Sequence, residues 1–346
     1  MTIEDYDLVI LGSGEGSKFL AWTQAKKRQR VALVERKYIG GSCPNIACLP
    51  SKNVIHSAKV ASYARRGAEF GVNAGGAVSV DMKAVRERKR KMVAELVAIH
   101  VKNFETSGAE LIMGSGRFVA PKTIEVQLAG GATRQLRGAN VVIGTGTHAT
   151  LVDVPGLADA RPLTHIEALE LDVLPAHLLV LGGGYVGLEF AQAMRRLGSR
   201  VTIIANHEGL LVREDDDVQE AMRALLGDEG IEVVGNAKVT AVSGRSGTAV
   251  QLRIERAGAT SIVEGSHLLA ATGRTPNTAG LGLELAGVEL AANGYVKVND
   301  RLQTTAAGVW AVGEAAGSPQ FTHIAYDDFR VILDNLNGGA RVTTGR

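Results

Sequence analysis

The feature that most limits how this chain can fold is a repeated stretch of apolar residues, glycines and helix-forming residues. Residues 7–17, DLVILGSGEGS, align with residues 177–187, HLLVLGGGYVG, and the same offset aligns VALVE at 31–35 with VTIIA at 201–205. A short apolar run followed by a glycine turn is typical of a buried parallel strand that leads into a helix. Each copy is therefore predicted to be a strand, a glycine turn, a helix and a second strand.

The first two glycines of each copy have separate predicted roles. Gly12 and Gly182 allow the sharp turn from strand to helix, and Gly14 and Gly184 let the backbone approach a pyrophosphate. The start of the following helix offers unpaired N–H groups and a partial positive charge to such an anion. One glycine motif would be weak evidence, but two copies with matching second strands predict two dinucleotide-binding sites.

The third small residue of the motif differs between the copies. In the second copy Gly187 allows the helix to pack closely on the strand, whereas the first copy has Ser17 there, preceded by Gly16. Serine is small enough to be tolerated at this position, so the first motif is imperfect but usable.

The ends of the second strands distinguish the two sites. Glu35 ends the first, where a carboxylate can accept hydrogen bonds from a ribose diol. The matching strand of the other copy ends at Ala205, followed by Asn206 and His207. Without a carboxylate a 2′-phosphate is not repelled, and His207 with nearby Arg213 can contact it, which favours NADPH over NADH. The alternative is that His207 is a solvated loop residue and that the site discriminates little between NADPH and NADH.

The segments between and after the two copies predict the domain organisation. Amphipathic spacing predicts a helix over 81–105, and short strands with glycine turns are predicted within 110–143. The stretches GTGTHATLVDVPG at 144–156 and LLAATGRTPNT at 268–278 are interpreted as crossings into a second domain and back. We therefore predict an α/β fold with two Rossmann-like dinucleotide-binding domains, the second inserted in the first, with residues 1–148 and 273–346 in one domain and residues 149–272 in the other.

Composition and charge exclude several classes of partner. The formal net charge of +2 gives no electrostatic reason to expect nucleic acid or a membrane. The basic runs KKRQR at 26–30 and RERKRK at 86–91 lie within helical periodicity and have no interleaved aromatic residues. No run of about 18 apolar residues occurs, and the start of the chain passes from acidic residues into a strand pattern without a leader. We expect a soluble cytoplasmic protein.

Both cysteines of the chain lie in one short segment, GGSCPNIACLPSK at 40–52. A structural zinc site needs four ligands, so we expect no metal, and a structural disulfide over so short a span adds little stability in a reducing compartment. Glycines and prolines around Cys43 and Cys48 predict a constrained backbone that begins a helix, where a thiolate is stabilised. Lys52 lies one helical turn beyond Cys48 and adds a positive charge. These features favour a redox-active dithiol over two inert buried thiols.

Together these motifs resemble the class I pyridine nucleotide-disulfide oxidoreductases, which include glutathione reductase, dihydrolipoamide dehydrogenase and mercuric reductase. The resemblance is carried by GGSCPNIACLPSK, the two glycine motifs, GTG, ATGRTPN and VWAVGE, and it covers essentially the whole chain. The details GSGEGS, SPQFTH and YDDF are most similar to the mercuric reductase-like branch. The implied activity is that of an FAD-dependent NAD(P)H:disulfide oxidoreductase.

The resemblance implies roles for individual residues. Cys48 would be the thiolate against the flavin and Cys43 the sulfur that attacks the substrate. Lys52 would lie near the flavin and pair with Glu189. The implied contacts of FAD are Gly12, Gly14, Gly16 and Glu35, and those of the nicotinamide dinucleotide are Gly182, Gly184, Tyr185, Val186, Gly187, Asn206 and His207. Further implied cofactor-binding residues are Ser17, Arg36, Gly41, Ser42, Lys52, Gly116, Thr145, Gly146, Gly273, Arg274, Gly313, Glu314 and Thr322.

Some of these positions depart from the family pattern. Relatives usually have Gly-Asp in the late strand, whereas this chain has Gly313 and Glu314, so the contact to the ribityl chain is shifted by one methylene. The helix that starts near Thr322 would direct its positive end at the flavin. NADP-preferring relatives usually have an arginine at the place of Asn206. Tyr185 matches the aromatic residue that covers the nicotinamide pocket, with an ordinary packed tyrosine as the alternative.

The family pattern also includes a further domain. Relatives continue for roughly a hundred residues into an interface domain that forms the homodimer and donates a catalytic histidine in a His-x4-Glu arrangement. Neither the domain nor that motif occurs in these 346 residues, and the C-terminal cysteine pair of the mercuric branch is missing as well. We therefore expect slow or misdirected turnover, with oxygen or quinones as electron acceptors.

Three functions stay open at this point. The first is a flavoprotein that reduces a small-molecule disulfide or thiol-bound substrate through Cys43 and Cys48. The second is a diaphorase-like NAD(P)H oxidase or quinone reductase whose dithiol is a bystander, and the third is a non-catalytic redox-sensing module. The first is favoured because the cysteine spacing, Lys52 and Glu189 have no use in the other two.

Overall fold

The computed structural model describes residues 2–73 and 75–344. The chain divides into two compact units: the first unit comprises Met1–Asn45, Val93–His148 and Thr275–Arg346, and the second unit comprises Ile46–Met92 and Ala149–Arg274. Two boundaries, after residues 148 and 274, lie within the predicted crossings at 144–156 and 268–278. The structure groups residues 46–92 with the second unit, whereas the prediction placed them in the first domain. The last two residues of the predicted first domain, 345 and 346, lie outside the described residues.

The strands follow the apolar runs of the sequence. In chain order they are β1 (Ile3–Leu11), β2 (Val31–Glu35), β3 (Glu110–Ala120), β4 (Thr123–Leu128), β5 (Thr133–Ile143), β6 (Thr147–Ala149), β7 (His177–Leu181), β8 (Arg200–Ile204), β9 (Glu232–Val234), β10 (Lys238–Arg245), β11 (Ala249–Arg256), β12 (Ala259–Gly265), β13 (His267–Ala270), β14 (Arg274–Pro276) and β15 (Val309–Ala311).

The helices include both of those predicted after the glycine turns. They are α1 (Glu15–Lys26), α2 (Ser42–Asn45), α3 (Cys48–Arg65), α4 (Met82–Ser107), α5 (His165–Ala168), α6 (Tyr185–Leu197), α7 (Asp216–Asp228) and α8 (Thr322–Leu336), with short 3-10 helices at Gly67–Phe70, Leu283–Ala286 and Gly313–Ala316. The helix predicted over 81–105 is confirmed as α4.

Six described strands form the sheet of the first unit. Strands β2, β1, β5 and β15 lie side by side in that order, and each pairs in parallel with the next. The long strand β3 pairs in parallel with β2 through its first residues and antiparallel with β4 through the rest, and β4 pairs antiparallel with the start of β5. The carboxyl ends of the parallel strands therefore meet at one edge, where the glycine turn follows β1.

Side chains on both faces of this sheet are buried. Along β1, Leu8 and Ile10 pack in one apolar cluster with α1 and α8, whereas Val9 and Leu11 pack in another with β4. Successive side chains of a strand point to opposite faces, so a continuous apolar run such as LVIL supplies both clusters. The sequence pattern thus determines a central strand covered on both sides.

The described residues of the second unit form two sheets of three or more strands. A parallel sheet has the order β13, β7, β8 and β9, and β10, β11 and β12 form an antiparallel sheet. Helix α3 packs against α6 in this unit, and an apolar cluster joins Val54 and Ala58 of α3 to Leu188 and Met194 of α6. This packing explains why residues 46–92 group with the second unit.

The predicted α/β class with two Rossmann-like sheets is confirmed. No helix in the part of the chain that the structure describes combines the length and the apolar character needed to cross a membrane.

Candidate dinucleotide and dithiol sites

The first glycine turn joins β1 to α1. Neighbouring atoms crowd the Cβ positions of Gly12 and Gly16, whereas the Cβ position of Gly14 has free space. Gly12 has a φ of +90°, and a Cβ there would lie 2.3 Å from the carbonyl oxygen of Gly144. At Gly16 a Cβ would lie 2.4 Å from the side chain of Val312, whereas at Gly14 it would meet only the Gly144 oxygen, at 3.9 Å. The turn is therefore tightly packed beneath the helix and leaves its backbone accessible at the helix start, which fits a pyrophosphate.

Two hydroxyl groups beside this turn have no hydrogen-bond partner among the described residues. Ser17 is buried, and its Oγ lies against Gly144, where a Cβ would come within 2.0 Å of it. The Oγ1 of Thr145, the next residue, is buried without a partner as well. Since an unsatisfied buried polar group costs about 1–3 kcal/mol, these hydroxyls fit a ligand that supplies the missing partners. The serine of the imperfect motif is tolerated because Gly144 has no side chain.

Glu35 lies at the carboxyl end of β2 and holds the glycine turn to the following loop. Its Oε2 accepts hydrogen bonds from the N–H and the hydroxyl of Ser13, at 2.9 and 2.6 Å. Its Oε1 accepts from the N–H groups of Lys37 and Tyr38, at 2.7 and 2.9 Å. A carboxylate has about four lone-pair sites, so a ribose diol at Glu35 would share or replace one of these donors. Arg36, beside it, is exposed.

The loop that carries Cys43 packs on the same turn. Gly41 has a φ of +80°, and a Cβ there would lie 2.5 Å from the Cα of Gly14. Ser42 begins the short helix α2, and Asn45 fastens it by donating from Nδ2 to the carbonyl oxygen of Gly41 at 2.8 Å. Cys43 is half-buried in this helix. The first cysteine is thus carried by a loop in direct contact with the first glycine turn.

The other predicted FAD-binding residues between these segments lie in different surroundings. Asn277 holds the GTG segment by donating from Nδ2 to the Thr145 carbonyl at 2.9 Å and from its N–H to the Gly146 carbonyl at 2.9 Å. Gly116 lies within β3, where a Cβ would come within 2.6 Å of the Leu11 side chain. The structure therefore places Gly116 against core side chains of the sheet.

The late strand ends in a tight turn held by a buried acid. The side chain of Asp328 is fully buried, and its Oδ2 accepts from the N–H of Gly313 at 2.8 Å and from the hydroxyl of Ser318 at 2.7 Å. The carboxylate of Glu314 accepts a hydrogen bond from the Thr147 hydroxyl. Helix α8 begins at the half-buried Thr322, as expected. Asp328 did not emerge from the sequence as a site residue, although an acid within the apolar stripe of α8 was a usable signal.

The second glycine turn repeats the construction of the first. Gly182 has a φ of +118°, and a Cβ there would lie 2.3 Å from the carbonyl oxygen of Ala271. At Gly187 a Cβ would lie 2.4 Å from the Gly182 oxygen, whereas at Gly184 it would meet nothing within 4 Å. Val186 in the first turn of α6 is 39% exposed. This turn is also tight beneath the helix and open at the helix start.

Tyr185 is exposed at the start of α6, and a hydrogen bond of its hydroxyl holds the side chain in place. Its hydroxyl donates to the carboxylate of Glu214, and this hydrogen bond raises the pKa of Tyr185 above its usual range. Glu214 lies far along the chain from Tyr185, and no local signal in the sequence identifies it as the partner. The aromatic ring thus has a defined position beside the second turn.

The residues after β8 are solvent-accessible. Ala205 is buried, whereas Asn206, His207 and Arg213 are exposed. The carbonyl oxygen of His207 accepts from the N–H of Asn236 at 3.0 Å, and no side-chain hydrogen bond of His207 occurs among the described residues. These side chains are therefore available to a ligand phosphate.

Two further predicted residues lie at the end of the second unit. The carbonyl oxygen of Gly273 accepts from the N–H of Thr150 at 2.9 Å, and Arg274 is half-buried. The returning chain is thus fastened to the segment that entered the unit.

The second cysteine begins a long helix of the second unit. Cys48 is the first residue of α3 and is half-buried. Lys52, one turn further, places its Nζ 2.6 and 2.7 Å from the two carboxylate oxygens of Glu189 on α6. Both side chains of this ion pair are partly exposed, at 57% and 39%. The structure thus places the Cys48 thiol at a helix start, with the Lys52 ammonium one turn further along α3.

No cluster of three or more His, Cys, Asp or Glu side chains able to hold a metal ion occurs within the described ranges.

Comparisons with known proteins identify a family and several relatives of this chain. The family model of the pyridine nucleotide-disulphide oxidoreductases matches residues 6–328. Mercuric reductase of Bacillus cereus is 33% identical over 336 residues, which are 97% of this chain and 52% of that protein. Dihydrolipoyl dehydrogenase of Mycoplasma pneumoniae is 30% identical over 337 residues, 96% of this chain and 71% of that protein.

A solved structure is similar over the whole chain. It is a Cu(II) complex of the HOCl-induced flavoprotein disulfide reductase RclA from Escherichia coli, with 32% identity and a TM-score of 0.88, and the match covers 99% of this chain and 74% of that one. The chain thus spans about half the length of the mercuric reductase and about three quarters of the RclA chain.

Proposed function

Because this chain belongs to the pyridine nucleotide-disulphide oxidoreductase family, we propose that it is an NAD(P)H-dependent flavoprotein that reduces the Cys43–Cys48 disulfide and passes the electrons to a disulfide or thiol-bound substrate. The family uses FAD and NAD(P)H. One observation carries the proposal: Cys48 begins a helix whose Lys52 is held by Glu189, on the helix that follows the second glycine turn.

The residues around the first glycine turn would hold FAD. Gly12 and Gly14 would receive the diphosphate at the start of α1, and Glu35 would receive the ribose. The unpartnered hydroxyls of Ser17 and Thr145 fit a polar ligand at this place. When bound, FAD supplies two-electron transfer between a nicotinamide and a disulfide.

The dithiol and its neighbours would handle the sulfur chemistry. Cys48 at the start of α3 would be the sulfur nearest the flavin, and Lys52 would stabilise its thiolate with a positive charge one turn away. Glu189 would orient Lys52 through the ion pair. Cys43, carried by the loop on the first turn, would be the sulfur that exchanges with substrate.

The second glycine turn would bind the nicotinamide dinucleotide, with NADPH preferred. The chain has no carboxylate directly after β8, and the exposed His207 and Arg213 offer two side chains to a 2′-phosphate. Tyr185, positioned by Glu214, would cover the nicotinamide pocket until the ring enters.

The substrate would be a small disulfide or a thiol-bound metal ion. The name of the mercuric reductase and the Cu(II) complex of RclA support the second of these, and the dihydrolipoyl dehydrogenase supports the first. We assign the reaction to the cytoplasm, as expected from the sequence.

An anaerobic titration with NADPH, then NADH, tests the proposal. We expect the flavin absorbance to bleach and a long-wavelength thiolate-to-flavin charge-transfer band to appear. C43S should keep that band, because Cys48 remains as the thiolate, whereas C48S should lose it together with disulfide reduction. If the unmodified protein turns over no disulfide and C48S reduces a quinone dye as fast as the unmodified protein does, the dithiol is a bystander and the diaphorase-like alternative is correct.

The role of Lys52 has a matched control on the same helix. Lys59, like Lys52, is an exposed lysine of α3. We expect K52M to weaken the charge-transfer band and to shift its appearance to higher pH, and K59M to leave both unchanged. Equal behaviour of the two variants would exclude an electrostatic role for Lys52.

A further inference from the structure

Lys18 in the first turns of α1 is a buried lysine, 4% exposed. Lysine side chains are almost never this buried unless they are paired. The Lys18 Nζ lies 2.7 Å from a carboxylate oxygen of Glu15, 2.9 Å from Nε2 of His100 and 3.4 Å from the carbonyl oxygen of Gly40. These residues all belong to the first unit, and they form one polar cluster beneath the first glycine turn.

The hydrogen bonds determine the charge of this cluster. The Nδ1 of His100 lies 2.6 Å from the carbonyl oxygen of Leu96, which can only accept, so Nδ1 carries the proton. The ammonium of Lys18 can only donate, so Nε2 of His100 accepts from it and the imidazole is neutral. Lys18 and Glu15 therefore balance each other, and the cluster carries no net charge.

The negative charge of Glu15 affects ligand binding because of its position in the chain. It is the first residue of α1, directly after Gly14, whose backbone is open at the helix start. A carboxylate near a helix N-terminus favours the helix, but it would repel an anionic ligand at the same end. Pairing with Lys18 removes most of that repulsion.

A second observation indicates that this end of the helix receives a ligand. Ser17, the residue before Lys18, is 1% exposed, and its Oγ has no hydrogen-bond partner within the described part of the chain. A buried hydroxyl in this state is expected to find its partner on a bound molecule.

We propose that Lys18 is a positioning residue for dinucleotide binding, because it neutralises Glu15 at the open end of the first glycine turn and so allows a diphosphate to bind there. The inference rests on the proposed function only in taking FAD as the ligand of this turn. A purely structural ion pair between Lys18 and Glu15 is the competing explanation.

The test is the dissociation constant of FAD, measured by titrating apoprotein and following flavin fluorescence, together with the thermal stability of the apoprotein. We expect K18M to raise the dissociation constant tenfold or more, because Glu15 then faces the diphosphate unbalanced. E15Q should lower the thermal stability, since Lys18 loses its counterion, but should leave FAD binding as tight or tighter. The double variant E15Q/K18M should return to within about threefold of the unmodified protein.

K26M on the same helix is the matched control, because Lys26 is exposed, and it should bind FAD as the unmodified protein does. Tenfold weaker binding in E15Q would overturn the inference, since a structural pair predicts that both single variants lose affinity together. Binding by K18M that matches the unmodified protein would overturn it too. If K18M does not fold, the E15Q result still decides. These outcomes are independent of NADPH reduction, so failure of the proposed redox reaction is seen separately.

Discussion

Replacing Gly12 with alanine should destabilise the first unit far more than the same change at a glycine that has a similar φ and free space around its Cβ position. Gly12 has a φ of +90°, and a Cβ would lie 2.3 Å from the carbonyl oxygen and 2.9 Å from the carbonyl carbon of Gly144. Gly131, in the turn between β4 and β5 of the same unit, has a φ of +82° and nothing within 4 Å of its Cβ position. The two sites share the backbone penalty and differ in crowding.

The magnitudes follow from these two contributions. A non-glycine residue at positive φ costs about 1–2 kcal/mol, which is the expected loss for G131A. In G12A the Cβ meets backbone atoms that cannot rotate away, and overpacking adds about 1–3 kcal/mol. We expect G12A to lower the free energy of unfolding by about 2–5 kcal/mol.

Tryptophan fluorescence in a urea titration of the apoprotein measures this difference. The two tryptophans of the chain, Trp22 and Trp310, are both buried in the first unit, so their emission reports the unfolding of that unit. FAD must be absent, because its binding would add its own stabilisation. A G12A variant no less stable than G131A would refute the claim that Gly144 closes this turn.

Three further predictions follow from buried and exposed charges. D328N should lower the free energy of unfolding by about 1–3 kcal/mol in the same fluorescence assay, because a fully buried acceptor loses charge, whereas D327N, next to it and partly exposed, should cost less than about 1 kcal/mol. E189Q should change stability by less than about 1 kcal/mol, since its ion pair with Lys52 is exposed, so a large loss in a thermal melt would contradict this. Burial lowers the pKa of three half-buried histidines, so below about pH 6.5 the unfolded state binds protons that the folded state does not. The free energy of unfolding should therefore fall as the pH drops below about 6.5, by at most about 1.4 kcal/mol per pH unit for each histidine. A stability that is flat from pH 7 to 5 in urea titrations would count against it. These residues are His100, His177 and His267.

Local sequence was sufficient for the elements that surround the sites. The short strands predicted within 110–143 and the helix predicted over 81–105 were found because their periodicity is contained in consecutive residues. The glycine turns were found for the same reason, since a turn at positive φ such as that of Gly12 is a local requirement.

The hydrogen-bond partners of individual side chains were much less predictable from the sequence. Glu35 was predicted to be a ribose acceptor from its place at a strand end, but the sequence did not predict that Ser13, 22 residues away, donates two hydrogen bonds to it. The acceptor for Tyr185 is 29 residues away, and the His100 ring that accepts from Lys18 is 82 residues away, and no spacing rule links either pair.

The sequence by itself determined that this chain builds two strand–turn–helix units and places its cysteines at a helix start, because backbone conformation depends on neighbouring residues. Only the tertiary structure decided that α3 packs on α6, that Asp328 holds the turn at Gly313, and that Lys18 is buried against His100. Those contacts depend on which faces meet after the sheets form, and that choice is made by burial of apolar surface across the whole unit.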